Sequence, residues 1–210
     1  MTVIGLTGGI GMGKSTAAAI LRERGVAVVD TDDLARLVVA PGQPALAEVQ
    51  AAFGSDLVGA DGQLRRSELA RIIFSDLAAR ERLEAILHPR IRQLWSAQLQ
   101  TWRAEGRPLA VVVIPLLFET QAESHFDAVV CVACSAATQR ERLSVRGWTP
   151  DQVAQRNAAQ LPVAEKMLRS HYVIWTEGGL DVHAQQWARI LSADGLAFPV
   201  GRQGTTALPA

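Results

Sequence analysis

The 210-residue chain predicts an α/β fold, a doubly wound parallel five-stranded sheet with helices on both faces. Three observations predict it. Short β-branched runs alternate with helical patterns along most of the chain. Those runs are continuously apolar rather than alternating, as strands covered on both faces are. The first run also opens directly into a glycine-rich loop followed by helix-forming residues.

Val3–Leu6 is the first strand, and Gly8-Gly9-Ile10-Gly11-Met12-Gly13-Lys14-Ser15 follows it. The stretch matches Gly-x-x-x-x-Gly-Lys-[Ser/Thr]. Its glycines allow the backbone N–H groups to turn inward on an anion. Lys14 would reach the terminal phosphates of a nucleotide, and the Ser15 hydroxyl suits Mg²⁺. Thr16-Ala17-Ala18-Ala19-Ile20-Leu21 then places a helix N-terminus, and its dipole, behind the loop. Only two lysines occur, Lys14 and Lys166, so finding one here is informative. The alternative is a turn that holds nothing. The strand–loop–helix context favours the phosphate site, with ATP and Mg²⁺ as the expected cofactors.

The first helix should run to about Arg24, where Gly25 breaks it, and Val26–Val29 is the second strand. Asp30-Thr31-Asp32-Asp33 follows at the carboxyl end of that strand, where open parallel sheets bind ligands. A carboxylate there could accept a proton from an attacking hydroxyl. Alternatively, Asp32 or Asp33 caps a helix over Leu34–Val39, and residue preference alone favours the cap for any one of the three acids.

Residues 43–107 depart from the rhythm and read as helical throughout, with Leu83, Ile86, Leu87, Ile91, Leu94, Trp95, Leu99 and Trp102 near the 3.6 period and a turn at Gly59-Ala60-Asp61-Gly62. So long a block is too large for a crossover and is expected to be an inserted subdomain over the sheet edge. Pro89 in Leu87-His88-Pro89 should kink or end the helix there. Leu109–Ile114 is the third strand, punctuated by Pro115-Leu116-Leu117-Phe118-Glu119, and Ala128–Val132 is the fourth. On a helix, Gln139, Arg142 and Arg146 share one face. Arginines on a mobile lid could offset charge on a transferring phosphoryl group. The other reading is a solvated charged helix. Beside a phosphate loop the balance tips to the lid for Arg142 and stays even for Arg140. Arg156 follows past the Trp148-Thr149-Pro150 turn, and Tyr172–Trp175 is the fifth strand. The expected partition is one domain, 1–194, with a core of about 1–42, 108–138 and 170–194, a helical acceptor subdomain at 43–107 and a lid at 139–169. Residues 195–210 read as a flexible tail.

Basic and acidic residues balance at 21 each, so no global field recruits nucleic acid or an anionic membrane. No window reaches the apolar length of a membrane span, and the start does not read as a signal peptide. The expectation is a cytoplasmic protein with a small-molecule partner, without nucleic acid or membrane, and monomeric or weakly self-associating. Cys131 and Cys134 are spaced as Cys-x-x-Cys, but without a second pair they read as buried or free thiols.

Together these segments resemble the dephospho-coenzyme A kinase family over about residues 1–190. The resemblance rests on Leu6–Thr16, Val29-Asp30-Thr31-Asp32, Leu87-His88-Pro89, Pro115–Glu119 and the Gln139–Arg146 helix. It implies a P-loop kinase fold and transfer of the ATP γ-phosphoryl to the ribose 3′-hydroxyl of dephospho-coenzyme A, the last step of coenzyme A synthesis. It further implies that Asp32 is the base and that Lys14 and Arg142 stabilise the transferring group. It places ATP phosphates on Gly8, Gly9, Gly11, Met12, Gly13, Lys14, Ser15 and Thr16, Mg²⁺ on Ser15, and the acceptor on Thr7, Asp32, His88, Pro115 and Leu116. Two departures stand out. Members usually carry Ser at Met12, and Asp-Asn near the adenine of ATP where this chain has Trp175-Thr176. The alternatives are another P-loop small-molecule or nucleoside kinase and, from a different class, a GTP-dependent switch. Asp56-Leu57-Val58-Gly59 mimics a switch motif, but no Asn-Lys-x-Asp is present to read guanine.

Overall fold

The computed structural model describes residues 1–192. Strands β1 (Thr2–Gly8), β2 (Ala27–Asp30), β3 (Leu109–Val113), β4 (Ala128–Ala133) and β5 (Tyr172–Trp175) form one parallel sheet in the order β2-β3-β1-β4-β5. Every pairing is parallel, with Leu6 opposite both Val113 and Val130. β3 and β2 lie on one side of β1 and β4 and β5 on the other, so the strand order reverses beside β1 and a ligand site is expected at its carboxyl end.

Alternate residues of each strand serve opposite cores, the outcome of a period of two in a sheet covered on both faces. Ile4, Leu6, Val111, Val113, Val130 and Val132 pack on α1 (Lys14–Glu23) and α9 (Leu180–Ser192), through Leu21, Trp187 and Ile190. Val3, Ala110, Val112 and Val129 face the other way, onto Trp95 and Leu99 of α5 (Leu77–Ala104) and onto Leu117, Phe118 and Phe126. Burying a side chain such as fully enclosed Leu21 contributes on the order of 2–3 kcal/mol.

The block between β2 and β3 comprises α2 (Thr31–Leu37), α3 (Pro44–Phe53), a 3-10 turn at Ser55–Leu57, α4 (Arg66–Ser75) and α5. It has its own small core, with Val39, Leu46, Val49, Leu69 and Leu83. Of the kink or end expected at Pro89, the end does not occur. Helix α5 runs through it, because its first half is anchored by Leu83 in that core and its second by Trp95 and Leu99 against the sheet. Two anchored halves outweigh a proline cost of roughly 3 kcal/mol. Pro89 cannot donate to the carbonyl of Ala85, which lies on the exposed side. Leu94, expected at the apolar positions of this block, is exposed. Beyond β4 come α6 (Ala136–Val145), α7 (Pro150–Ala158) and α8 (Val163–Arg169), in the region expected to form a lid. No described helix is long and apolar enough to cross a membrane. The expected tail at 195–210 lies outside the described residues.

Candidate active site

The loop after β1 is shaped by two glycines that nothing else could replace. Gly8 lies so near β4 that a Cβ would sit 2.3 Å from the Val132 carbonyl oxygen. Gly13, at φ 94°, holds the left-handed conformation that starts α1. Helices α2, α5, α6 and α7 have side-chain caps, but α1 has none and carries no acid in its first turn. Its first N–H groups are therefore left for an outside anion. The Lys14 ammonium bends back and donates to the carbonyls of Gly8 and Gly9 at 2.8 and 2.9 Å. Burial lowers its pKa to about 8, opposed by the nearby Asp32 carboxylate and assisted by Lys166.

The competition between cap and base among the three acids resolves by position. Asp30 is the cap, its carboxylate accepting from the Asp32 N–H at 2.9 Å, and α2 starts at Thr31 rather than at Leu34. Burial raises the Asp30 pKa, and the accepted N–H opposes the rise. Asp32 is exposed, and its carboxylate has no hydrogen-bond partner among the described residues. It lines the phosphate pocket together with Lys14, Ser15, Thr16, Arg36, Arg146 and Arg156.

Asp32 also lines the cleft on its other side. There Leu87, His88 and Ile91 of α5 meet Ile114, Pro115 and Leu116 from the end of β3. Thus His88, Pro115 and Leu116 come together with Asp32, as expected of an acceptor site. Burial lowers the His88 pKa, favouring a neutral ring. Thr7 behaves differently from the expectation. It is fully buried, and its hydroxyl donates to the Pro115 carbonyl at 3.2 Å, so it shapes the cleft through Pro115 without facing it.

Gln139 and Arg142 lie on α6 and Arg146 caps its C-terminal end, all three beside the loop. Gln139 donates to the Ile10 carbonyl at 2.7 Å. Arg142 is engaged by Thr176, whose hydroxyl and carbonyl accept from it at 2.9 and 2.6 Å. Arg142 lines a second, polar cleft with Gly11, Gly13, Thr16, Gly178 and His183, away from Lys14 and Asp32. Arg146 borders both that cleft and the phosphate pocket. Arg140 is exposed and lines neither.

The model of the family described as CoaE, dephospho-CoA kinase, matches residues 2–181. A dephospho-CoA kinase of Anaeromyxobacter dehalogenans is 47% identical over 193 residues, which cover 91% of this chain and 92% of that protein. A crystal structure from Thermus thermophilus, 34% identical, superposes with a TM-score of 0.78 over 92% of this chain and 98% of its own. A dephospho-CoA kinase from Campylobacter jejuni, 21% identical, shares the fold at a TM-score of 0.66 over 90% and 95% of the two chains. This chain belongs to the dephospho-CoA kinase family.

Met12 and Thr176, the two positions at which a departure was expected, each have a physical role. Met12 is buried with Ala133, Cys134 and Met167, and its sulfur would lie 2.8 Å from a Cβ on Gly9. Thr176 donates its hydroxyl to the Met12 carbonyl at 3.1 Å and so ties the end of β5 to the loop. Glu177 extends the tie, accepting from Ser135 N–H and Thr138 Oγ1 at 2.8 Å each and from Trp175 Nε1 at 3.0 Å. Those bonds lower its pKa to about 2.

Lys166 escaped sequence reasoning, though lysine's scarcity was a signal. It is fully buried, donates to the Pro115 carbonyl at 2.7 Å and pairs with Glu119 at 2.8 Å. Glu119 also accepts from the Leu161 N–H at 2.8 Å. A buried ammonium requires such partners. Pro115–Glu119 thus joins the cleft wall to the α7–α8 connection. Cys131 and Cys134 are buried free thiols, and burial pushes Cys131 up to about 11. No His, Cys, Asp and Glu grouping among the described residues would hold a metal ion by itself. Asp56–Gly59 lies in the helical block, lining none of the pockets around the loop.

Proposed function

We propose that the protein transfers the γ-phosphoryl of ATP to the ribose 3′-hydroxyl of dephospho-coenzyme A, giving coenzyme A and ADP, the last step of coenzyme A synthesis. The observation that carries this reading is the position of Asp32, a carboxylate without a hydrogen-bond partner on the wall common to the phosphate pocket and the acceptor cleft. Asp32 takes the hydroxyl proton as the oxygen bonds to the γ-phosphorus; the bond from that phosphorus to the bridging oxygen breaks, and ADP leaves with the electron pair. Gly8 to Thr16 present N–H groups to the triphosphate, and Lys14 offsets charge on the group in flight. Arg142 shapes the nucleotide wall through Thr176, and Arg146 lines the phosphate pocket beside it. The polar cleft at Gly178 and His183, continuous with Gly11 and Thr16, suits the nucleoside end of ATP.

The residues present fit Mg²⁺. Ser15 is exposed in the first turn of α1 and lines the phosphate pocket with Asp32. When bound through Ser15 and the triphosphate, the ion would neutralise the β- and γ-oxygens. The test is incubation with Mg-ATP and dephospho-coenzyme A, following ADP release and the mass of the acceptor. The expected product is one phosphate heavier. Turnover of another alcohol or nucleoside but not of dephospho-coenzyme A would overturn the reading.

A further inference from the structure

The cleft holds two arginines that the phosphate loop itself does not supply, Arg80 and Arg156, the second of which also borders the phosphate pocket. Arg80 on α5 has its Nε buried without a hydrogen-bond partner. Its nearest counter-charge, Glu84 one turn along, is 3.7 Å away, an ion pair too long to be a hydrogen bond. Arg156 on α7 lies over two rings, 4.5 Å from the centroid of Phe74 and 4.0 Å from that of Trp148. Phe74 belongs to α4 and Trp148 to the turn before α7, so the guanidinium is held from the helical block and from the lid region together. Neither a hydrogen bond nor a salt bridge occupies its N–H groups among the described residues. A guanidinium held against ring faces in this way keeps its N–H donors available to an anion.

Arg80 and Arg156 share one wall with Lys14, Asp32, Pro115 and Leu116. The neighbouring half of the cleft, which also reaches Asp32, is instead lined by Leu87, Ile91, Trp95 and Ile114. The two halves suit an acceptor with an anionic part and an apolar part flanking its reacting hydroxyl. Dephospho-coenzyme A carries a diphosphate on the same ribose as its 3′-hydroxyl, so with that hydroxyl at Asp32 the diphosphate must lie within about one sugar's breadth.

We propose that Arg80 and Arg156 form an acceptor subsite for a diphosphate, separate from the loop that binds the diphosphate of ATP. The inference rests on the acceptor assigned above. Two arginines supply forked donors to the two phosphoryl groups, while Glu84 orients Arg80 and disfavours entry of an acceptor with a carboxylate there. Contact with the Phe74 and Trp148 rings pre-sets Arg156, so little side-chain freedom is lost on binding.

Steady-state kinetics on Arg80→Gln and Arg156→Gln test the subsite, each variant first shown to keep the wild-type melting temperature. Each should raise KM for dephospho-coenzyme A about tenfold, as expected for losing a charge-assisted contact, and for Arg80, which lies outside the phosphate pocket, kcat and the ATP KM should stay within about twofold of wild type. Arg156→Lys keeps the charge but not the flat fork and should recover only part of the loss. An unchanged acceptor KM in both Gln variants overturns the proposal. So does a fall in kcat at constant acceptor KM, which would make these arginines partners of the transferring phosphoryl. Wild-type protein that ignores dephospho-coenzyme A but phosphorylates another alcohol overturns the acceptor assignment itself, a result visible without any variant.

Discussion

The phosphate loop occupies one stretch, Gly8 to Thr16, whereas the acceptor cleft beside it draws on α2, α5 and the segment after β3. The loop works chiefly through backbone groups whose directions are set by local glycine geometry and by an uncapped helix start. The cleft works through side chains, each positioned by a remote partner: Pro115 by Thr7 and Lys166, Arg156 by Phe74 and Trp148. A site made from backbone tolerates side-chain change. A site made from distant side chains is tunable, but any one of its supports can fail.

The largest effect expected from testing this contrast is at the point where the two regions meet. Asp32→Asn should lower turnover by roughly a hundredfold or more while ATP affinity barely changes. Near-normal turnover would show that the carboxylate does not take the proton. A smaller, pH-dependent effect separates the loop from the cleft. With its pKa lowered to about 8 from the usual 10.5, Lys14 is charged below that pH in the free protein and loses its charge as pH rises through it. Bound triphosphate pulls the pKa back up, so ATP binding at pH 8 takes up protons and weakens above it. The KM for ATP should climb by up to about tenfold between pH 8 and 9. The uptake is measured by calorimetry in buffers of different ionisation heat, and a flat response would place the cation's work elsewhere. The smallest effect concerns the tie from Glu177 to Ser135 and Thr138. Its folded pKa of about 2 lies below the usual 4.5, so its contribution to stability is complete above that value and vanishes as pH falls toward 2. Glu177→Gln should lower the melting temperature at pH 7 by a few degrees and narrow the gap to wild type at pH 3, as scanning calorimetry would reveal. An equal deficit at both would deny the carboxylate that role.

The strands were legible to within a residue or two because parallel strands buried on both faces must be continuous β-branched runs, as β1, β3 and β4 are. The loop was legible because its glycines and lysine act on neighbours in the chain. Pro89 misled because a local rule was overruled by packing at Leu83, Trp95 and Leu99, none of which is local to it. Thr7 was expected to touch the acceptor, since only the fold reveals that Pro115 takes its hydroxyl. Arg142 was expected at the phosphates, and nothing in a sequence indicates that Thr176 engages it.

Short-range pattern alone thus determined the layered α/β architecture, the anion-binding turn and the presence of acids at the end of β2. Tertiary structure decided which of those acids caps a helix and which stays without a partner, where Lys166 is buried, and which arginines face the cleft. The division has a physical cause. Periodicity and turn chemistry are written in residues a few positions apart, whereas the partner of a buried charge is chosen by contacts such as Lys166 with Pro115, 51 positions away.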